Sequence, residues 1–143
     1  MKVVHIITRM IVGGAQENTL LNCIDLIEHF SDDVTLITGP SEGREGQLLE
    51  RFNHPQLKIV EASALTRNIH PWQDWKAYRQ IKALLKTIQP DVVHTHSAKA
   101  GMLGRLAAWK LKVPAIIHTV HGAPFHPYQS GLARRLFAFC ERI

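Results

Sequence analysis

The sequence predicts an α/β domain of Rossmann-like type: a doubly wound parallel sheet in a three-layer α/β/α arrangement, with strand order 3-2-1-4-5. Three observations predict it. Short β-branched runs alternate with longer amphipathic segments along all 143 residues, and strands separated by helices of this length imply right-handed βαβ crossovers. Several of the runs are continuously apolar, as strands covered on both faces must be. The length, with 45% hydrophobic and 20% charged residues, fits one globular domain whose core needs no disulfide or metal support.

Each element has its own signal. Val3-Val4-His5-Ile6-Ile7 reads as the first strand and leads into a loop holding Gly13-Gly14. From Ala15 to Phe30, Leu20, Ile24, Ile27 and Phe30 recur at three- and four-residue steps, which predicts a helix with one buried stripe. Asp33 to Thr38 is the second strand, stopped by Gly39-Pro40; Gln47 to Phe52 a short helix; Leu57 to Val60 the third strand. Pro71 opens a helix in which Trp72, Trp75, Tyr78, Ile81, Leu85 and Ile88 keep helical spacing until Pro90 stops it. Val92-Val93 begins a fourth strand, Ala100 to Leu111 forms a helix, and Ala115 to Val120 a fifth strand. A last amphipathic segment, Leu132 to Ile143, carries Leu136, Phe137 and Cys140 on its apolar stripe with Arg134, Arg135 and Arg142 mainly off it.

Bulk properties narrow the class. Cys23 and Cys140 both sit inside helical apolar patterns and read as small buried hydrophobes of a reducing compartment. The apolar run after Lys2 is broken by Thr8-Arg9 before it could serve as a signal peptide, and no stretch is long enough to span a bilayer, so the chain reads as cytoplasmic. A net charge of +5, with nine histidines counted neutral, favours anionic partners without choosing among them. Basic and aromatic residues are not interleaved as on a single-strand binding surface, so a phosphate-bearing small molecule or a membrane surface ranks ahead of nucleic acid.

In an open α/β sheet of this order, ligands bind at the carboxyl ends of the strands beside the point where the order reverses. That rule marks three loops. In T-R-M-I-V-G-G-A-Q-E, Gly13 and Gly14 precede a helix amino terminus, whose free N–H groups and dipole favour an anion; the competing reading is a turn that needs glycine for its backbone angles. It is not the G-x-G-x-x-G fingerprint of dinucleotide binding. In D-V-V-H-T-H-S-A-K-A-G-M-L-G-R, His94 and His96 share a strand face, Ser97 is placed to cap the next helix, and Gly101 and Gly104 permit close helix–sheet packing. His94 reads best as a satisfied core histidine, His96 and Ser97 as ligand-facing, and Lys99 as a ligand contact or a solvated charge. In H-T-V-H-G-A-P-F-H-P-Y, His121 is a candidate hydrogen-bonding or titrating group, Gly122 permits a sharp turn, and Phe125 and Tyr128 offer an apolar wall; the alternative is a histidine that merely serves the turn. His94, His96, His118, His121 and His126 could converge, but their spacing is no zinc pattern and neither loop offers a carboxylate, so no metal is expected. No G-x-S-x-G elbow supplies a covalent nucleophile.

The stretches V-V-H-I-I-T-R-M-I-V-G-G-A-Q, P-D-V-V-H-T-H-S-A-K-A-G-M-L-G-R-L-A-A and H-T-V-H-G-A-P-F resemble, in order and spacing, the amino-terminal domain of the retaining nucleotide-sugar glycosyltransferases of the GT-B superfamily, family 4-like. The resemblance covers essentially the whole chain and implies two Rossmann-like domains facing a cleft, the amino-terminal one holding the acceptor. It implies that Gly13 and Gly14, with Gln16 after them, approach the donor phosphates and reacting sugar. It makes His121, followed by Gly122, the catalytic-site histidine, and gives His96, Ser97 and Lys99 an acceptor role. It implies no cofactor beyond the nucleotide-sugar co-substrate, and a glycan, lipid-linked or small-molecule acceptor. The donor domain, with its acidic and basic motifs, is not among these residues; a longer polypeptide would supply it in cis or a partner in trans, and the domain alone should be inactive. Two rival classes stay open: a non-catalytic nucleotide- or sugar-phosphate-binding module, and a membrane- or protein-docking domain whose Arg134, Arg135 and Arg142 serve the contact, with weak anionic-membrane binding at the inner face as its membrane form.

Overall fold

The alternation of apolar runs and amphipathic segments resolves into β1 (Lys2–Ile7), α1 (Gly14–Phe30), β2 (Asp33–Thr38), α2 (Leu48–Arg51), β3 (Lys58–Glu61), α3 (Pro71–Ile88), β4 (Val92–His96), α4 (Ala98–Lys110) and β5 (Ala115–Thr119). The computed structural model describes residues 1–40, 48–51, 54–122 and 131. All five strands pair in parallel in the order β3-β2-β1-β4-β5, as the alternation predicts. The terminal segment from Leu132 to Ile143, with Cys140 and the three arginines, lies outside the described residues, as do Phe125, His126 and Tyr128.

Period-two alternation along β1 divides the core between the two faces. Val3 and Ile7 face Leu20, Cys23 and Ile27 of α1. Val4 and Ile6 face Ala77, Ile81 and Leu85 of α3 and Ala100, Leu103 and Ala107 of α4. Each large aliphatic group fully buried this way contributes about 1.5–3 kcal/mol. Burial raises the Cys23 thiol to about 12, and the thiol is free.

Close packing of α4 depends on its glycines, as the spacing of Gly101 and Gly104 predicts. A Cβ at Gly104 would stand 2.7 Å from Thr95 Cγ2, and one at Gly101 would collide with the His118 ring. Gly39 is needed for a third reason: a Cβ there would strike the Leu65 carbonyl, because the chain leaving β2 passes hard against that loop and its N–H donates to the Thr8 carbonyl at 3.1 Å.

Two expected stripes are corrected. Phe30, the last residue of α1, is 70% exposed. Trp72 and Trp75 are 59% and 45% exposed, while Ala77, Ile81 and Leu85 carry the buried face of α3. Repeated steps of three fall short of a full turn: at about 100° per residue, Trp72 lies about 180° around the helix from Ile81.

Candidate functional site at the carboxyl edge of the sheet

β1 and β4 are neighbours at the reversal of strand order, and their exits diverge into separate loops. A cleft of about 470 Å³ opens there. Its walls include Ile7, Thr8 and Arg9 from the β1 exit, Gln16 from α1, Arg67 and Ile69 from the β3–α3 loop, and Ser97, Lys99 and Met102 from the β4 exit and α4. A smaller hollow of about 330 Å³ shares Thr8, Arg9 and Arg67 with it. Lys99 does not stand free: its ammonium pairs with Asp74 Oδ1 at 2.6 Å and donates to the Asn68 carbonyl, with both side chains largely buried. It pins the β3–α3 loop to α4. Arg9 and Arg67 have no ion-pair partner among the described residues, so the cleft offers guanidinium groups to an anion.

Ser97 occupies the amino-terminal cap position of α4, but its side chain makes no capping bond. Its Oγ instead meets Thr8 Oγ1 at 2.8 Å, and Thr8 accepts the Ala100 N–H at 3.4 Å. Ser97 sits at φ 63°, ψ 158°, a region almost confined to glycine, and such strain of about 1–3 kcal/mol persists mainly where surrounding structure imposes it.

The glycine loop departs from one of its two readings. Gly13 caps α1 at φ 173°, an extended angle open to any residue. A Cβ at Gly14 would meet nothing within 4 Å, and one at Gly13 only the flexible end of Gln16. Neither backbone angles nor packing inside the described residues demand glycine here, so the explanation that the turn requires it fails.

Behind the cleft stands a row of histidines. His5 on β1 is in register with His94 on β4, and His96 follows on the same face. His5 Nδ1 lies 3.0 Å from His96 Nε2, and His96 Nδ1 lies 2.9 Å from His121 Nε2. His94 Nε2 meets Thr119 Oγ1 at 2.7 Å. His5 and His96 are completely buried. Desolvation, with nearby His94 second, lowers His5 to about 3; desolvation, with His94, His5, His121 and His118 in turn, lowers His96 to about 2. His94 and His121 are lowered as well, chiefly by desolvation. All are neutral near pH 7.

The structure brings Gln16, Ser97 and Lys99 together on the cleft wall, with Gly13 and Gly14 at the adjoining helix end. His96 lies beneath, both ring nitrogens engaged by other histidines, and His121 and exposed Gly122 follow β5. The expected convergence of histidines is corrected in two respects. His118 points to the opposite face, its Nδ1–H donating to the Thr95 carbonyl at 3.0 Å, whereas His5 joins the row. His5, His94 and His96 offer nitrogens within 4.8 Å of one another, but the His5–His96 hydrogen bond already uses two of them. His5 and Arg67 escaped sequence reasoning. A histidine inside an apolar strand was the one signal for His5; nothing marked Arg67, which reaches the cleft only through the fold.

An open, wholly parallel five-stranded sheet with a cleft at its switch point defines a Rossmann-like domain. Residues 14–143 match the model of the glycosyl transferase 4-like domain, and the chain belongs to that family. It is 30% identical over 140 residues, 98% of its length, to the UDP-Gal:alpha-D-GlcNAc-diphosphoundecaprenol alpha-1,3-galactosyltransferase of Escherichia coli, of which it covers 35%. It is 38% identical over 121 residues to the UDP-N-acetylglucosamine–N-acetylmuramyl-(pentapeptide) pyrophosphoryl-undecaprenol N-acetylglucosamine transferase of Klebsiella pneumoniae, covering 79% of this chain and 34% of that one. The chain thus spans about a third of these relatives. The fold matches the UDP-GlcNAc 2-epimerase of Neisseria meningitidis with a TM-score of 0.68 at 18% identity, over 98% of this chain and 38% of that one. It matches MurG of Acinetobacter baumannii with a TM-score of 0.63 at 20% identity, over 98% and 39%.

Proposed function

We propose that this domain is the acceptor-side half of a retaining glycosyltransferase that moves a sugar from a nucleotide-sugar onto an isoprenoid-diphosphate-linked acceptor. The observation that carries the reading is the cleft, in which Arg9 and Arg67 stand without ion-pair partners among the described residues, beside apolar Ile69 and Met102. A diphosphate joined to a hydrocarbon chain needs both surfaces, and arginine's planar fork suits phosphate oxygens. Both transferase relatives are named for diphosphoundecaprenol-linked substrates. The amino terminus of α1, with Gly13 and Gly14 left open, is assigned to the donor diphosphate, whose charge it favours as the sugar leaves. His121 is assigned to the reacting sugar, with Gln16, Ser97 and Lys99 shaping the acceptor wall and Gly122 leaving room beside it. The alpha linkage in the Escherichia coli relative's name supports the retaining assignment.

The donor half is assigned to chain beyond this domain, in cis or in trans, so the domain alone turns nothing over: transfer needs both reactants in near-attack geometry. A membrane-borne acceptor also calls for a membrane-facing surface. Exposed Trp72 and Trp75 stack at 5.0 Å, with Lys76 5.6 Å over one ring and Arg79 4.9 Å over the other. Among the described residues no helix is long and apolar enough to cross a membrane, and an aromatic–basic face of this kind suits peripheral contact with anionic lipid.

The test is acceptor kinetics of the complete transferase with a polyprenyl-diphosphate N-acetylhexosamine. A charge-assisted hydrogen bond worth about 1.5–3 kcal/mol makes Arg9→Ala and Arg67→Ala each raise the acceptor KM by roughly 10- to 100-fold. An unchanged acceptor KM in both variants would remove the anion from this cleft.

A further inference from the structure

His5, His96 and His121 come from β1, the end of β4 and the exit of β5, and their rings form one hydrogen-bonded line. Adjacent planes are nearly parallel, 11° apart for His5 and His96 and 26° for His96 and His121. A neutral imidazole carries one N–H and one lone pair. With two bonds joining three neutral rings, the protons therefore have two consistent orders. In one, every ring is protonated at Nδ1 and donation runs from His5 through His96 to His121 Nε2. In the other, every ring is protonated at Nε2 and donation runs inward.

The inner end decides between them. His5 Nε2 is buried and has no hydrogen-bond partner among the described residues, and His5 is completely excluded from solvent. The inward order would leave an N–H donor there with nothing to accept it. The outward order leaves only a lone pair, the less costly of the two deficits, since buried donors without acceptors are the rarer exception in folded proteins. Burial keeps His5 and His96 neutral, so neither ring can relieve the conflict by taking up a second proton.

We infer that His5 and His96 are positioning residues whose hydrogen-bonded line fixes His121 as an Nδ1–H donor toward the ligand. In this state His121 offers a proton to a sugar hydroxyl or carbonyl oxygen and has no lone pair with which to act as a general base. Turning it into a base requires all three rings to exchange tautomers together, stranding the N–H on His5. The ligand-facing role of His121 rests on the function proposed above; the proton order does not, and it is measured without substrate.

The experiment is two- and three-bond proton–nitrogen correlation NMR of the chain labelled with 15N-histidine, at pH 8. The expected spectrum has protonated Nδ1 and bare Nε2 at His96 and His121. In His96→Phe the half-buried His121 loses its donor and reverts to the Nε2–H form favoured in water, exchanging the shifts of its two nitrogens. His96→Gln, whose amide oxygen accepts from His5 and whose amide N–H donates to His121, restores the wild-type pattern. A His121 protonated at Nε2 in the wild type overturns the inference, and that spectrum decides the matter even where His96→Phe does not fold. Equally, a folded His96→Phe with unchanged His121 shifts overturns it, as does stoichiometric Zn²⁺ binding that moves the His5, His94 and His96 signals, because a cation there would take the lone pairs the line needs.

Discussion

Lowering the pH from 8 to 5 perturbs the buried histidine row directly. His5 and His96 have folded-state values of about 3 and about 2, below an unfolded value of about 6.5. Between that value and the folded ones the unfolded chain binds more protons, so stability falls as pH falls. Their contribution is fully present above about pH 6.5 and is lost by about 1.4 kcal/mol per pH unit per histidine. At pH 5 this amounts to about 2 kcal/mol for each, about 4 kcal/mol together, against a total stability of about 5–15 kcal/mol. With a urea slope of about 2 kcal/mol per molar, the denaturation midpoint should drop by about 2 M between pH 8 and pH 5. The assay is urea unfolding followed by far-ultraviolet circular dichroism at pH 8, 6.5 and 5, for wild type and for His5→Gln/His96→Gln. Contributions from His94, His121 and the carboxylates occur in both proteins and cancel in the comparison. A wild-type midpoint that stays put from pH 8 to 5, or an equal drop in the double variant, would refute the reasoning.

The two glycine classes separate function from folding. Gly39→Ala should lose at least about 1–3 kcal/mol in chemical denaturation through collision with the Leu65 carbonyl, whereas Gly14→Ala, in open space within the first turn of α1, should gain about 0.5–1 kcal/mol yet depress transfer by the complete enzyme. Full activity in Gly14→Ala would make that loop a mere connection. Ser97→Gly should melt no lower than wild type because it releases the backbone strain, while Ser97→Val should lose about 1–3 kcal/mol; equal melting temperatures for all three would mean Ser97 is unstrained. His121→Ala in the complete enzyme should reduce kcat by more than the modest loss of stability expected as His96 loses its acceptor, and unaltered kinetics would take His121 out of the site. Co-sedimentation with anionic vesicles at low salt should fall on Trp72→Ala/Trp75→Ala and on adding salt; binding indifferent to both would discard the aromatic face as the contact.

The amino-acid sequence by itself determined the class of fold, the strand order and the three loops at the switch point. Those features are local or follow from chain order: apolar runs mark strands, 3.6-residue periodicity marks helices, and βαβ connectivity allows few arrangements. The same local signal misled where a rotation accumulates, as at Trp72 and Trp75, since residues spaced by three drift around the helix. Only the tertiary structure decided the contents of the site. His5 and His96 are 91 residues apart in the chain yet share a hydrogen bond, because parallel pairing sets His5 opposite His94. The capture of Lys99 by Asp74 and the arrival of Arg67 beside Arg9 likewise depend on where α3 docks. Register, burial and the direction of a side chain are properties of packed neighbours distant in sequence, and no pattern along one strand or helix encodes them.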